Sequence, residues 1–448
     1  MIMNPNAGWL RLSPPRIFVA GFAAIILIGS LLLMLPISNT TGKPLAFIDA
    51  LFTAASATCV TGLVVKDTGT FFTTFGQVVI AALIQVGGLG FMTMATLIAL
   101  VFKRRISLRE RLILQEAMNQ TSVEGIVGLI RKVLLYSLII EGVCATIFAV
   151  RWSFDMPVGR AIYFGIWHAI SMFNNAGFDL FGHFRSLTGY VYDPVVNFTA
   201  MFLIISGGIG FVVMSDLAEY RKRQRLTLHT KVVLSMTAAL IVVGTLVIFV
   251  FEFTNPRTLG SLDWGGKLLG SLFQSVTPRT AGANTLDIAS LRQATQFFII
   301  ILMFIGASPG STGGGIKTTT FALLVGAVFS MLRGREDIVL FKYRLAQARI
   351  YKALTITLLG LLFVIGVTMI LSATEDHHFL MILFETVSAF GTVGLSMGLT
   401  PDLTVVGKLV ITLTMFAGRL GPLTLAYALG PKKGKELYRH PEGKMIIG

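Results

Sequence analysis

Four glycines, Gly62, Gly177, Gly282 and Gly394, each stand ten positions after a bulky apolar residue: Phe52, Trp167, Leu272 and Phe384. Their immediate neighbours are Val60 and Thr61, Asn175 and Ala176, Thr280 and Ala281, Thr392 and Val393. None of these twelve residues is an acid, a base or a strong nucleophile. What such turns offer is backbone carbonyls, which glycine lets face inward without a Cβ in the way. Carbonyls converging from four sides can replace the water around a cation, so the chemistry implied is dehydration and coordination of an ion. The motif recurs at a near-constant interval of roughly 110 residues, a quarter of the chain, which marks an internal repeat.

Each glycine follows a short apolar segment: 47–57, 162–173, 266–277 and 379–389. As a helix at about 1.5 Å per residue such a segment spans roughly half of a 30 Å hydrocarbon core, so it must enter and return. Longer apolar segments flank it, in order 16–37 and 74–102, 127–150 and 195–219, 230–252 and 294–331, 353–373 and 404–430. Backbone that is not helical survives at membrane depth only when buried in protein or lining a wet cavity, and a pore entrance is both. If each short helix enters from outside, its negative dipole end points at the centre. A second motif keeps the same register, a cluster of small residues in the second long segment. It reads Gly87-Gly88-Leu89-Gly90, Gly207-Gly208-Ile209-Gly210, Gly306-Ala307-Ser308-Pro309 and Gly418-Arg419-Leu420-Gly421. The expected fold is an all-α polytopic membrane protein, with four membrane–pore-loop–membrane repeats in pseudo-fourfold arrangement around one pore. The repeats are expected at 16–112, 113–226, 227–349 and 350–430, with filters at 58–63, 173–178, 278–283 and 390–395. Cytoplasmic ends at 1–15 and 431–448 complete the division.

Composition agrees with a bilayer: 54% of the 448 residues are hydrophobic, 13% are charged, and the mean hydropathy is +0.77. The first apolar stretch lacks a small-residue cleavage site and is read as a retained span. The net charge of +15 is concentrated at 103–111, 221–225, 333–349 and 432–439, at the ends of long segments. Basic clusters locked to membrane boundaries indicate cytoplasmic loops and contact with anionic lipid, and put both termini inside a cell membrane. They argue against nucleic acid as a partner. Two cysteines, Cys59 and Cys144, and six histidines offer neither a disulfide framework nor a metal or catalytic cluster, so an enzyme is not expected.

The third repeat interrupts its second long segment with Gly306-Ala-Ser-Pro-Gly310-Ser311-Thr312-Gly313-Gly314-Gly315-Ile-Lys317. The pattern misses the spacing of a phosphate-binding P-loop, because Ile316 separates Gly315 from Lys317. So many glycines with a proline cannot stay helical, and the segment 306–317 is expected to form an intramembrane loop that obstructs the pore. Arg419 stands where the other repeats have Gly88, Gly208 and Ala307. A guanidinium at that depth needs acceptors, either carbonyls of the 306–315 loop or a carboxylate such as Glu385 or Asp216. His168, Glu141 and Glu385 are read as packing residues, and Asp67, Asp179 and Asp287 as acids near the outer mouth. Ala283, where the other repeats carry Leu63, Phe178 and Leu395, is expected to soften the third filter.

These repeats, with Asn174-Asn-Ala-Gly177, Arg279-Thr-Ala-Gly282 and Gly418-Arg-Leu-Gly-Pro-Leu423, resemble the Ktr/Trk/HKT potassium transporters, most closely the Ktr-type membrane subunit. The resemblance covers nearly the whole chain. It implies potassium as the transported ion, no organic cofactor on this chain, and a homodimer docked on a cytosolic ring of nucleotide-binding regulatory subunits. It also implies that glycine at position 62 accompanies potassium rather than sodium selectivity. The competing expectation is a sodium- or proton-coupled secondary transporter, which would need carboxylates inside the membrane.

Overall fold

The computed structural model describes residues 14–90, 93, 112, 126–335 and 337–421. The basic clusters at 103–111 and 432–439, the repeat boundary at 112/113 and the terminal segments 1–13 and 422–448 lie outside them, apart from Leu112. Within them the architecture is all-α, with one hairpin of two-residue strands.

Apart from a single helical turn at Thr68–Phe71 and four short 3-10 turns, the helices among the described residues are α1 (Pro14–Met34), α2 (Phe47–Thr58), α3 (Thr74–Leu89), α4 (Ile126–Trp152), α5 (Val158–Phe173), α6 (Pro194–Gly208), α7 (Phe211–Arg223), α8 (Leu228–Glu252), α9 (Trp264–Val276), α10 (Gln293–Ile305), α11 (Thr318–Leu332), α12 (Gln347–Thr374), α13 (Phe379–Gly391) and α14 (Val405–Leu420). The strands β1 (Val339–Leu340) and β2 (Tyr343–Arg344) pair antiparallel between α11 and α12.

α1, α4, α8 and α12 are long and apolar enough to cross a membrane, and only 28–39% of their most apolar stretches is buried. The rest of their surface presents Leu31, Leu138, Val242 and Leu362 outward, the arrangement required when the solvent is lipid. The short helices α2, α5, α9 and α13 lie inside, each packed against the long helix that precedes it.

Polar stitches hold the returning segments of the second, third and fourth repeats to their long helices. Glu252 at the end of α8 accepts the Arg292 backbone N–H at 2.9 Å, ahead of α10. Glu375, after α12, accepts the Thr404 N–H at 3.0 Å and its hydroxyl at 2.6 Å, ahead of α14. In the second repeat Asp193 caps α6 and pairs with Arg151 of α4 at 2.5 Å.

Two features differ from expectation. α5 has sixteen residues, longer than the half-span expected. The segment 195–219 is not one helix, because α6 and α7 meet at 101°. The break falls at Gly210, with φ +94°, and the freed Phe211 N–H donates to the Gly310 carbonyl at 2.9 Å. A methyl at Gly210 would meet the Pro309 carbonyl, so the helix opens where the 306–317 loop lies against it.

Candidate functional site

Each short helix ends three to six residues before its glycine, and the backbone then reverses hand twice. Val60, Asn175, Thr280 and Thr392, each two positions before the glycine, have φ of 58°, 59°, 80° and 50°. The glycines follow at 92°, 68°, 73° and 92°. All four turns thus share one backbone pattern, a left-handed residue, an ordinary one and a left-handed glycine. Valine and threonine pay for this conformation in steric strain of about 1–3 kcal/mol, a cost found where geometry serves a site. The sequence places these four residues in the turns, but their types give no signal for a left-handed backbone.

The four turns meet. A methyl on Gly62 would run into the Ala176 carbonyl, on Gly177 into that of Ala281, on Gly282 into that of Val393, and on Gly394 into that of Thr61. The contacts run from the first repeat to the fourth and back, so the turns close a ring around one centre. Only glycine permits that approach.

Behind the ring, each turn is tied to its own short helix. Thr61, Ala176 and Val393 donate backbone N–H bonds to the carbonyls of Ser56, Ser171 and Ser388, each at 2.8 Å. Ala281 reaches Thr277 at 3.0 Å. Ser56 and Ser388 accept the N–H of Gly62 and Gly394 at 3.1 Å, while Ser171 donates to the Phe178 carbonyl at 2.6 Å. The Thr277 hydroxyl donates to the Ala283 carbonyl, so the third turn has its own tether where its side chain is smallest.

His168 and Glu385 occupy one register, nine positions before Gly177 and Gly394. His168 Nδ1 is 2.8 Å from the Phe164 carbonyl, and Nε2 accepts the Leu180 N–H at 3.2 Å. Glu385 accepts the Ser396 hydroxyl at 2.8 Å and that of Thr400. Both are packing residues in the sense expected, yet each holds the strand leaving a turn. Glu141 joins a buried cluster with Gln85 at 3.2 Å and Asn174 at 3.4 Å, beside the second turn. Asp67 and Asp287 are spent on local turns, with Asp67 also accepting the Phe184 N–H at 2.8 Å.

The loop 306–317 lies against one face of the ring. Gly313 packs on Thr280 and Gly314 on Thr392, and the Gly314 N–H donates to the Thr392 hydroxyl at 2.9 Å. Gly310 bonds Phe211, Ser311 Oγ accepts the Gly313 N–H at 3.4 Å, and the Thr312 N–H reaches the Gly207 carbonyl at 3.3 Å. Gly315, with φ +67°, turns the chain back toward α10. Lys317 closes the loop on itself, donating to the Gly313 carbonyl at 2.6 Å and the Gly314 carbonyl at 3.2 Å. Asn175, its amide oriented toward the Met172 and Ile204 carbonyls at 3.0 and 3.1 Å, accepts the Thr280 hydroxyl at 3.2 Å.

Arg419 donates to the Thr312 carbonyl and to those of Gly87 and Gly88, the last at 3.0 Å. Its acceptors are therefore carbonyls and not Glu385 or Asp216. One guanidinium ties the loop to the second helices of the first and fourth repeats. The small-residue clusters have a packing reason too: Gly87, Gly207 and Gly418 abut the carbonyls of Thr58, Phe173 and Phe390 in the last turns of α2, α5 and α13, where any side chain would collide.

The profile of the family TrkH, described as cation transport protein, matches residues 16–432. The chain is 47% identical over 440 residues to the Ktr system potassium uptake protein B of Bacillus subtilis, covering 98% of each. It is 39% identical over 444 residues to the potassium/sodium uptake protein NtpJ of Enterococcus hirae, again covering 98% of each. The crystal structure of the potassium transporter TrkH from Vibrio parahaemolyticus superposes with a TM-score of 0.73 over 94% of this chain and 86% of that one. At 20% identity that likeness speaks for the fold.

Proposed function

The chain belongs to the TrkH family of cation transport proteins, and from that premise we propose that it is the membrane subunit of a Ktr-type potassium uptake system, working as a channel-like pore. The observation that carries this reading is the closed ring of four turns with paired left-handed residues. Its carbonyls, from Val60 to Gly62, Asn175 to Gly177, Thr280 to Gly282 and Thr392 to Gly394, would take the place of potassium's hydration shell.

The loop from Gly310 to Lys317, held by Arg419, is the gate in this reading. Seated against the ring, it puts backbone and two cationic side chains in the path of an ion. Opening requires the Arg419 and Thr392 bonds to be exchanged for others. The driving force is the membrane potential, about 2.3 kcal/mol per charge per 100 mV. The protein would sit in the cell membrane with both termini cytoplasmic, as a homodimer on a cytosolic ring of nucleotide-binding subunits. The relatives' names as members of a Ktr system support a multi-component assembly.

Buried Glu141 beside the second turn is the feature that favours the rival reading, a sodium- or proton-coupled transporter. Uptake of labelled potassium and sodium into proteoliposomes at a clamped potential separates the two. Potassium entry that follows the potential alone, and loses its preference over sodium in Gly62→Ser, supports the channel-like pore. Uptake that demands a proton or sodium gradient overturns it.

A further inference from the structure

Beside the basic segment 333–349, α8, α11 and the β1–β2 hairpin wall a cleft of about 490 Å³. That volume lies within the roughly 300–1,000 Å³ of ordinary ligand sites. Its walls are apolar: Met236 and Ala239 from α8, Val325 and Phe329 from α11, and Leu340 from β1. Phe329 of the cleft is exposed, as are its apolar neighbours Val328, Met331 and Leu332 on α11.

Charge gathers at its mouth. Asp337 is neutralised by Arg344 at 2.8 Å, and the Ser330 hydroxyl is engaged with the Asp337 carbonyl at 2.7 Å. Arg333 and Arg335 line the same cleft without a carboxylate partner among the described residues. The hairpin turn adds a further sign. Its two central residues, Phe341 and Lys342, have φ of 49° and 69°, a turn that usually takes Asn-Gly. Here an aromatic and a lysine are held in that strained turn instead, and Phe341 and Tyr343 are exposed beside the cleft.

We propose that this cleft binds one anionic phospholipid from the leaflet on the basic side of the membrane. Its acyl chain would lie between α8 and α11, its phosphate would meet Arg333 and Arg335, and Phe341 and Tyr343 would sit at headgroup level. A protein partner fits less well, because apolar helix walls with two arginines at their mouth match an acyl chain joined to a phosphate. The proposal does not depend on what passes through the pore.

The test is native mass spectrometry of the full chain released from micelles holding equal phosphatidylglycerol and phosphatidylcholine. Preferential retention of phosphatidylglycerol is expected. Replacing two basic residues, Arg333→Gln with Arg335→Gln, should weaken that preference roughly thirtyfold. Ala239→Trp, which fills the cleft without touching the arginines, should also remove it. Arg221→Gln with Lys222→Gln, at another basic cluster, should leave it unchanged. Equal retention of the two lipids by the unaltered chain overturns the proposal. So does a preference that survives both cleft variants, or one lost equally in the Arg221 and Lys222 variant, which would mean diffuse surface charge.

Discussion

The backbone N–H of Gly314 donates to the hydroxyl of Thr392 at 2.9 Å, joining the loop of the third repeat to the turn of the fourth. Thr392 is also one of the four left-handed residues of the ring. A single side chain therefore belongs to both the proposed filter and the proposed gate. Displacing the loop leaves the Thr392 hydroxyl in need of a new partner, so in this proposal the state of the gate would be felt at the filter.

Thr392→Val keeps the shape of the side chain and removes the acceptor. A bond of this kind contributes about 1 kcal/mol net, so the seated loop should lose population by a factor of roughly five to ten. Potassium flux without activation should rise accordingly, while Thr392→Ser stays near the unaltered protein. Equal flux in the two variants, measured in proteoliposomes, would separate the loop from the gate.

Arg419 makes charge-assisted bonds to three carbonyls in two segments, Thr312 of the loop and Gly87 and Gly88 of α3. Such bonds contribute about 1.5–3 kcal/mol each, so Arg419→Ala should unseat the loop and raise basal flux by tenfold or more. Lysine provides a point charge without the planar fork, and Arg419→Lys should fall between the two. Unchanged flux in Arg419→Ala removes this residue from the gate.

Gly62 has φ +92° and faces the Ala176 carbonyl with no room for a methyl. Gly62→Ala combines a left-handed penalty of roughly 1–2 kcal/mol with that collision, so the ring must deform. Potassium uptake should fall at least tenfold and preference over sodium should shrink. Competition between labelled potassium and sodium reads both.

His168 leaves no signal in composition, yet it accepts the N–H of Leu180 three residues beyond Gly177. His168→Leu strands that buried donor at a cost of about 1–3 kcal/mol, whereas His168→Gln can offer an amide oxygen. The leucine variant should lose potassium selectivity and the glutamine variant should recover part of it. Identical selectivity in both would mean that His168 only fills space.

Burial pushes the Asp179 carboxyl up to about 7, opposed first by the Phe181 backbone N–H that it accepts at 3.0 Å, with the Asp67 charge adding to the rise and Arg185 opposing it. Above that pH the group is ionised two residues beyond Gly177, where its charge would draw cations to the proposed filter; below it the charge is lost. Uptake at limiting potassium should therefore decline as external pH falls through 7, by up to roughly tenfold. Asp179→Asn should show the low-pH rate throughout and a flat profile over that interval.

Much was legible in the linear chain because bilayer physics leaves few choices. Apolar stretches of fixed length must be helices, half-length ones must return, and glycines at a constant interval mark where they do; α2, α9 and α13 end close to the expected positions. The acceptors of Arg419 were half foreseen, since carbonyls of the loop were expected and those of Gly87 and Gly88 were not. What could not be read were relationships created by closure. The left-handed backbone at Val60 and Thr392 runs against the preference of those residues, and exists because the neighbouring turns enforce it. The 101° break between α6 and α7 is set by a loop a hundred residues later in the chain, which supplies the acceptor that the broken helix lacks. Local sequence encodes propensity and periodicity, whereas a hydrogen bond between distant segments has no local cause. That is why the four turns could be located from spacing, while the ring they form, and the loop seated on it, required the assembled fold.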